Sequence, residues 1–314
     1  MTDQPELSVL IVSWNVKALL RDCLASLDRE RASLRLEVIV VDSASADGSA
    51  AMVAAEFPWV TLIACDANVG FARGNNLAIA QANGRYILLL NPDTVVLPDA
   101  LTTMVVYLDT HPEVGVVGAQ LLHGDGTVQS SRRRFPTMAT AFFESTWLEP
   151  LAPARLLQRY YVAEAPPDQI VEVDWLVGAC LLTRCTVVEQ VGGLDEAFFM
   201  YSEELDWCRR VKDAGWLIVY LPTAQIIHYV GKSSEQAVVA RHINFQRAKL
   251  RYFRKYHGRF PAAALRLFLW LTYLGQLVVE GMKGLLGHKR PLRQQRVRAY
   301  WAVLRSGLRP AGYE

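Results

Sequence analysis

Three carboxylates stand within four residues of the stretch YSEELDWCRR, residues 201 to 210: Glu203, Glu204 and Asp206, with Arg209 and Arg210 close behind. Such a cluster fits the first turn of a helix capped by Ser202, where the helix dipole favours negative charge. It also fits a general base, a carboxylate that takes the proton from a hydroxyl as that hydroxyl attacks. Helical spacing separates the three acids. Glu203, Asp206 and Arg210 share a face, so Asp206 can pair with Arg210. Glu204 points about 100° away from Glu203 and meets the arginines poorly. An acid outside a tight ion pair keeps its basicity, which favours Glu204 as base, with Glu203 its rival and Asp206 in support.

Two further groups follow apolar runs. In LLLNPDTVVLP, Asn91 and Asp93 lie two residues apart. Alternate residues of an extended segment share a face, so an amide oxygen and a carboxylate can together approach a hard cation that holds a diphosphate. The same letters also make a good turn. Asp42 ends the run EVIVV and opens SASADGS. A carboxylate there can accept from ribose hydroxyls or a base N–H, while Asp47 reads equally as an Asx-turn before the next helix. No G-x-G-x-x-G follows the first apolar run and no GxxxxGK[ST] occurs, which argues against dehydrogenase and P-loop chemistry.

The elements that must position these groups alternate. LSVLIVSW is a short β-branched run, and NVKALLRDCLASLDRE repeats Leu19, Leu20, Cys23, Leu24 and Leu27 at helical spacing. A strand over 36–41, a helix closed by Pro58, a strand VTLIAC, a helix over about 74–83 and a strand in GRYILLLNPD follow. The middle, 115–175, mixes strands with a loop containing SSRRRFP, and a helix is expected over 183–191. This pattern predicts an α/β fold with a mostly parallel central sheet flanked by helices. Ligands of such sheets bind beyond the carboxyl ends of the strands, where Asn15, Asp42 and Asn91 to Asp93 fall.

The net charge of +2 averages two unlike regions: residues 1–240 hold 17 Lys/Arg and 29 Asp/Glu, and residues 241–314 hold 16 and 2. We therefore expect a first domain over 1–240 and a basic amphipathic helical extension over 241–314. Within the extension, segment 262–287 has a longest uncharged run of 13 residues, Leu267 to Val279. Spanning a bilayer takes about 20, so the expectation is a segment lying on an anionic membrane surface, or else a buried core helix. Nucleic acid is disfavoured because no binding motif accompanies the charge. Cysteines at 23, 65, 180, 185 and 208 show no CxxC spacing, which suggests a reducing compartment. MTDQPELSVLIVSWN carries no basic leader, so no signal peptide is expected.

VLIVSWN, VIVVDSASADGS, ANVGFARGNNLAI, YILLLNPDTVV, VGACLLTR, VGGLDEAFFMYSEELDWCRRVKDAGW and IIHYVGKSS stand in the order and spacing of family 2 glycosyltransferases. The chain resembles that family over about residues 7 to 235, most of all its bacterial rhamnosyltransferase-like group. The resemblance implies a GT-A fold, a nucleotide-diphosphate sugar donor, Mg²⁺ or Mn²⁺, and inversion by single displacement. It implies that Asp42 holds the nucleoside, that Asn15, Asn68, Gly70, Arg73 and Asn91 belong to the donor pocket, and that Asp93 binds metal. His228 matches a position that supplies a further metal or diphosphate contact. Asn91 stands where the family's D-x-D element begins with an acid. The family's base is the second acid of Glu-Asp-x-Asp, here Glu204.

On the acceptor side the candidates are Trp175, Gly178 and Arg132, Arg133 and Arg134: an aromatic can stack on a sugar and arginines can grip a lipid-linked diphosphate, the alternatives being a core tryptophan and a solvated loop. The expected activity is transfer of rhamnose from dTDP-rhamnose to a polyprenyl-diphosphate-linked glycan, on the cytoplasmic face of the membrane and peripheral to it. The alternatives are a hexosyltransferase using a UDP-sugar and a catalytically idle scaffold.

Overall fold

The computed structural model describes residues 4–229, 238–287 and 289–309; the end of the motif IIHYVGKSS lies outside them. The chain forms two compact units, the first from residues 1–135, 158–196 and 203–233, the second from 136–157, 197–202 and the residues that follow 233.

The first unit is built on strands with continuous apolar runs: β1 Leu7–Ser13, β2 Leu36–Asp42, β3 Thr61–Ala64 and β4 Tyr86–Leu90 pair in parallel in the order β3-β2-β1-β4. All residues of β1 and β4 are buried. Burial on both faces is why these strands read as unbroken apolar runs, and each fully buried Leu or Val contributes about 1.5–3 kcal/mol. Between them run α1 Lys17–Glu30, α2 Ser49–Glu56 and α3 Phe71–Ile79. Leu20, Cys23, Leu24 and Leu27 of α1 face the core at helical spacing.

Helix α3 begins at Phe71, three residues before the expected start, because Gly70 takes φ +78° and turns the chain into the helix. Gly74 then lies inside the helix for a packing reason: a Cβ there would meet the Val12 side chain at 2.7 Å.

Beyond β4 the sheet continues through β5 Thr94–Val96, α4 Ala100–Thr110 and β6 Val114–Leu122. Arg132–Arg133, expected in a loop, form β7, which pairs with β9 Trp175–Leu176 in a small second sheet. Between these lie α5 Met138–Phe143, α6 Ala154–Tyr160 and β8 Val171–Val173. Then come β10 Cys180–Arg184, α7 Cys185–Val191, α8 Glu203–Asp213 and β11 Leu217–His228. Strand β10 inserts antiparallel between β4 and β6, and β11 runs parallel to β6 while its end pairs antiparallel with β5. All five cysteines are free.

In the second unit, α9 Val238–His257 and α10 Arg259–Leu285 are joined through Gly258 at φ +93°, and α11 Arg290–Arg305 follows. Helix α10 buries Ala262, Leu265, Leu269, Tyr273 and Glu280 and exposes Leu267, Leu271, Leu274, Val278, Met282 and Leu285. Both stripes repeat at three- and four-residue steps and lie on opposite faces. The charge-free count of 13 residues understated this helix. Its one acid, Glu280, is ion-paired with Arg293 at 2.6 Å and Arg296 at 3.4 Å. At 27 residues the helix is long and apolar enough to cross a membrane by length and composition.

Candidate active site

Asp42 sits at the carboxyl end of β2 with 3% of its surface exposed. One carboxylate oxygen accepts from Ser45 N–H at 2.9 Å, and Oδ2 is buried with no hydrogen-bond partner among the described residues. An orphaned buried acceptor costs about 1–3 kcal/mol, which a ligand N–H or O–H can recover. Asp47, by contrast, is consumed locally, accepting from Lys17 N–H at 2.8 Å and Ser49 N–H at 3.0 Å.

The loop that carries Asp42 is clamped from two sides. Asn15, at φ +54°, accepts from Ala46 N–H at 2.7 Å, and its own N–H donates to Ser45 Oγ. Ser43 Oγ donates to Asn68 Oδ1 at 3.1 Å and accepts from Val69 N–H, while Gly70 N–H also donates to Asn68 Oδ1. Asn15 and Asn68 therefore fix the loops beside Asp42. Arg73 is exposed on α3, close enough for its charge to act on Cys65, as that of Asp42 also does.

The pairing of β5 with the end of β11 sets His228 opposite Thr94. It brings His228 Nε2 to 3.4 Å from Asp93 Oδ1 and 3.5 Å from Asn91 Nδ2. Gln129 completes this corner. Its Nε2 donates to the carbonyls of Leu122 and His228, which turns Oε1 toward His228 Nδ1 at 3.1 Å. An amide oxygen can only accept, so Nδ1–H is the donor of this bond and Nε2 is the ring nitrogen turned toward Asp93. A carboxylate and an imidazole nitrogen make a ligand pair that fits a divalent ion whose remaining positions would be taken by phosphate oxygens, while Asn91 turns its N–H donor, Nδ2, toward the imidazole. Among the described residues no cluster of three or more His, Cys, Asp or Glu could hold a metal by itself.

Asn91 N–H donates to Ala179 O at 3.0 Å, which fixes the 177–179 turn beside this corner. Glu204 packs on that turn: a Cβ built on Gly178 would meet its Cβ, Cγ and Cδ at 3.3 to 3.6 Å. Burial pushes the Glu204 carboxyl above the usual range, against backbone N–H groups, including that of Gly178, and the charge of Arg133, all of which favour the anion. Burial pushes Glu203 well above that range, and the neighbouring Glu204 adds to it. Oε2 of each is buried without a hydrogen-bond partner among the described residues. Glu203 is 4% exposed, whereas Glu204 is half-buried.

Helix α8 is anchored rather than capped in the expected way, since Ser202 adopts φ +61° and not the extended geometry of an N-cap. Asp206, fully buried, accepts from Arg210 Nε at 3.1 Å. The same guanidinium donates to the carbonyls of Val191 and Gly193, and Trp207 Nε1 donates to Gly192 O at 3.0 Å. Breaking such a buried pair costs about 3–5 kcal/mol, so Asp206 positions α8. From the other side Asn76 accepts from Leu194 N–H and donates to Leu194 O, both at 2.9 Å. Asn76 and Gln129 were missed in the sequence; the second Asn of RGNN is the only local signal for the former.

The acceptor residues divide. Trp175 is buried and its indole N–H donates to Arg134 O at 3.0 Å, so its ring packs the small sheet rather than facing a sugar. Arg134 is paired with Asp174 at 3.3 Å, and Arg132 donates to Pro166 O and lies over the Tyr220 ring. Arg133 lies 4.6 Å over the Tyr161 ring, and its charge acts on Glu204.

A mostly parallel sheet with Asp42, the Asp93–His228 corner and the Glu203–Glu204 helix at its strand ends defines a glycosyltransferase of the GT-A fold. Residues 8–164 match the family described as Glycosyl transferase family 2. An N-acetylglucosaminyl-diphospho-decaprenol L-rhamnosyltransferase of Mycobacterium tuberculosis is 31% identical over 225 residues, 66% of this chain and 73% of the relative. Rhamnosyltransferase WbbL of Escherichia coli is 30% identical over 173 residues, 51% and 61% of the two chains. A mannosyltransferase of Pyrobaculum calidifontis, solved in complex with GDP-Man and Mn²⁺, superposes with a TM-score of 0.56 at 20% identity, covering 98% of this chain and 86% of its own. The chain belongs to glycosyltransferase family 2.

Proposed function

We propose that this protein is an inverting, divalent-metal-dependent glycosyltransferase that moves rhamnose from dTDP-rhamnose to a polyprenyl-diphosphate-linked glycan. The observation that carries the reading is the Asn91–Ala179 hydrogen bond. It ties the Asp93–His228 corner to the turn against which Glu204, a base with one unpartnered oxygen, is packed. The rhamnose choice rests on the two rhamnosyltransferase relatives, and the lipid-linked choice on the diphospho-decaprenol in the name of the first.

In the reaction, Glu204 takes the proton from the acceptor hydroxyl as its oxygen bonds to the anomeric carbon. The bond from that carbon to the diphosphate oxygen breaks, and the electron pair leaves with the nucleotide diphosphate. Asp42 receives donor N–H or O–H groups at its free oxygen, Asp93 and His228 would hold the ion with Asn91 beside them, and Asp206 with Arg210 keeps α8 in place. A bound Mg²⁺ or Mn²⁺ supplies neutralisation of the charge that builds on the diphosphate. A panel of nucleotide sugars offered with Mn²⁺ and a lipid-linked N-acetylglucosamine acceptor is expected to give transfer from dTDP-rhamnose. Transfer from a UDP-hexose instead would reassign the donor, and no transfer from any donor would sink the enzymatic reading.

The protein works at an anionic membrane surface on the cytoplasmic side. The five free cysteines fit a reducing compartment. Helix α10 has the length to span, yet its buried face packs on α9 and α11, which carry most of the region's arginines and lysines. Pulling those into hydrocarbon costs about 2.5–3.5 kcal/mol each at the centre of a bilayer. Lying with its outward apolar stripe in the interface leaves them near lipid phosphates. Leu271→Glu with Leu274→Glu is expected to weaken sedimentation with anionic vesicles at least about tenfold per leucine. Binding equal to that of the parent protein would exclude this face.

A further inference from the structure

The second unit contains a cavity of about 400 Å³ that the catalytic groups do not use. Its walls are Phe198, Phe199 and Met200 on one side and Asn244, Arg247 and Arg251 on the other. The three polar residues stand at i, i+3 and i+7 along α9, so one helical face delivers two guanidinium groups and an amide to one concave space.

Arg247 has no ion pair or hydrogen bond among the described residues, and its Nε is buried. A buried N–H without an acceptor is costly, which makes an anionic ligand the missing partner. The Arg251 guanidinium lies 5.3 Å over the ring of the buried Phe198, which holds its plane at the cavity wall. Phe199, exposed, and Met200, half-buried, supply an apolar rim. Lys249, on the other side of α9, is already engaged, donating to Glu144 O at 2.9 Å and to its carboxylate at 3.3 Å. In the chain, Met200 is followed within four residues by Glu204.

Two guanidinium groups suit the paired oxygens of phosphate, and an adjoining apolar wall suits hydrocarbon. We propose that this cavity holds the diphosphate and the first prenyl unit of the lipid-linked acceptor, with Arg247 and Arg251 on the phosphates and Phe199 and Met200 on the chain. The assignment rests on the transferase reading for the ligand's identity. It replaces Arg132 and Arg134, whose guanidinium groups are held by neighbouring protein atoms, as the acceptor's anion grip.

Farnesyl diphosphate is the probe, measured by calorimetry against dTDP and inorganic pyrophosphate on the full chain. The parent protein is expected to bind farnesyl diphosphate, and Arg247→Gln to weaken that binding about tenfold or more. Arg247→Lys is expected to fall between, and dTDP binding to stay unchanged in both. With the lipid-linked acceptor, Arg247→Gln raises the acceptor KM and leaves kcat and the donor KM in place. Melting temperatures report whether each variant is folded.

Undiminished farnesyl diphosphate binding by folded Arg247→Gln would overturn the proposal, as would no binding by the parent. Loss of dTDP binding in step with farnesyl diphosphate would assign the cavity to the donor nucleotide instead and overturn it too. Farnesyl diphosphate binding that depends on Arg247, in a protein that transfers no sugar, would uphold the cavity and defeat the transferase reading.

Discussion

Glu204→Gln is expected to lower sugar transfer by about 10²–10⁴-fold while nucleotide binding persists, because the amide fills the same space but cannot accept the proton. Glu203→Gln should retain most of the activity, since Glu203 is the more buried residue and the acid packed over Gly178 is Glu204. Equal losses in the two variants, or full activity in Glu204→Gln, would refute the assignment.

The two acids titrate as a pair, so the acid limb of the rate profile belongs to both. Transfer needs the ionised base and is expected to fall as pH drops through the raised carboxyl range. The charge of Glu204 adds to what holds the proton on Glu203, so Glu203→Gln should leave an acid limb that belongs to Glu204 alone. Stability runs the other way. Both folded carboxyls hold their protons to higher pH than in the unfolded chain. The stability they contribute is present below the ordinary carboxylate range and is lost as pH rises through their raised values. Melting temperatures of the parent and Glu203→Gln should therefore separate progressively with increasing pH, the variant being the more stable at the alkaline end.

Asp93→Asn is expected to reduce transfer by about 10²–10³-fold, the scale of removing one electrostatic contact to developing charge. It should also weaken Mn²⁺ binding measured by calorimetry in the presence of a nucleoside diphosphate. The substitution keeps shape and removes the carboxylate that lies 3.4 Å from His228 Nε2. Gln129→Leu tests the same corner from behind. Without the Oε1 acceptor at 3.1 Å, His228 loses the group that selects its tautomer, and metal affinity should fall about 10–100-fold. Mn²⁺ titrations indistinguishable from the parent in both variants would show that this corner does not hold the ion.

Much of the first unit's sheet was legible because its signals are local. Strands β1, β2 and β4 are buried on both faces, which forces unbroken apolar runs, and Asp42 and Asn91 appear where those runs stop. The Asp206–Arg210 pair was legible for the same reason, since four-residue spacing on a helix is a sequence property. The antiparallel insertion of β10 was not, because CLLTR carries no mark of its neighbours' direction. Nor could Trp175 be told from a sugar platform, since a buried and an exposed tryptophan are written alike.

Residue types and local periodicity determined the alternation of strand and helix, the acids on α8 and the basic character of the last helices, because each follows from interactions between residues a few positions apart. Only the tertiary structure decided which of those groups meet. Asn91 and His228 are 137 residues apart and touch because β5 folds back onto β11. Gln129 and His228 are 99 apart, and Asn76 and Leu194 are 118 apart. Glu204 gains its raised affinity for a proton from burial, a property of the packed state that no short stretch of sequence contains.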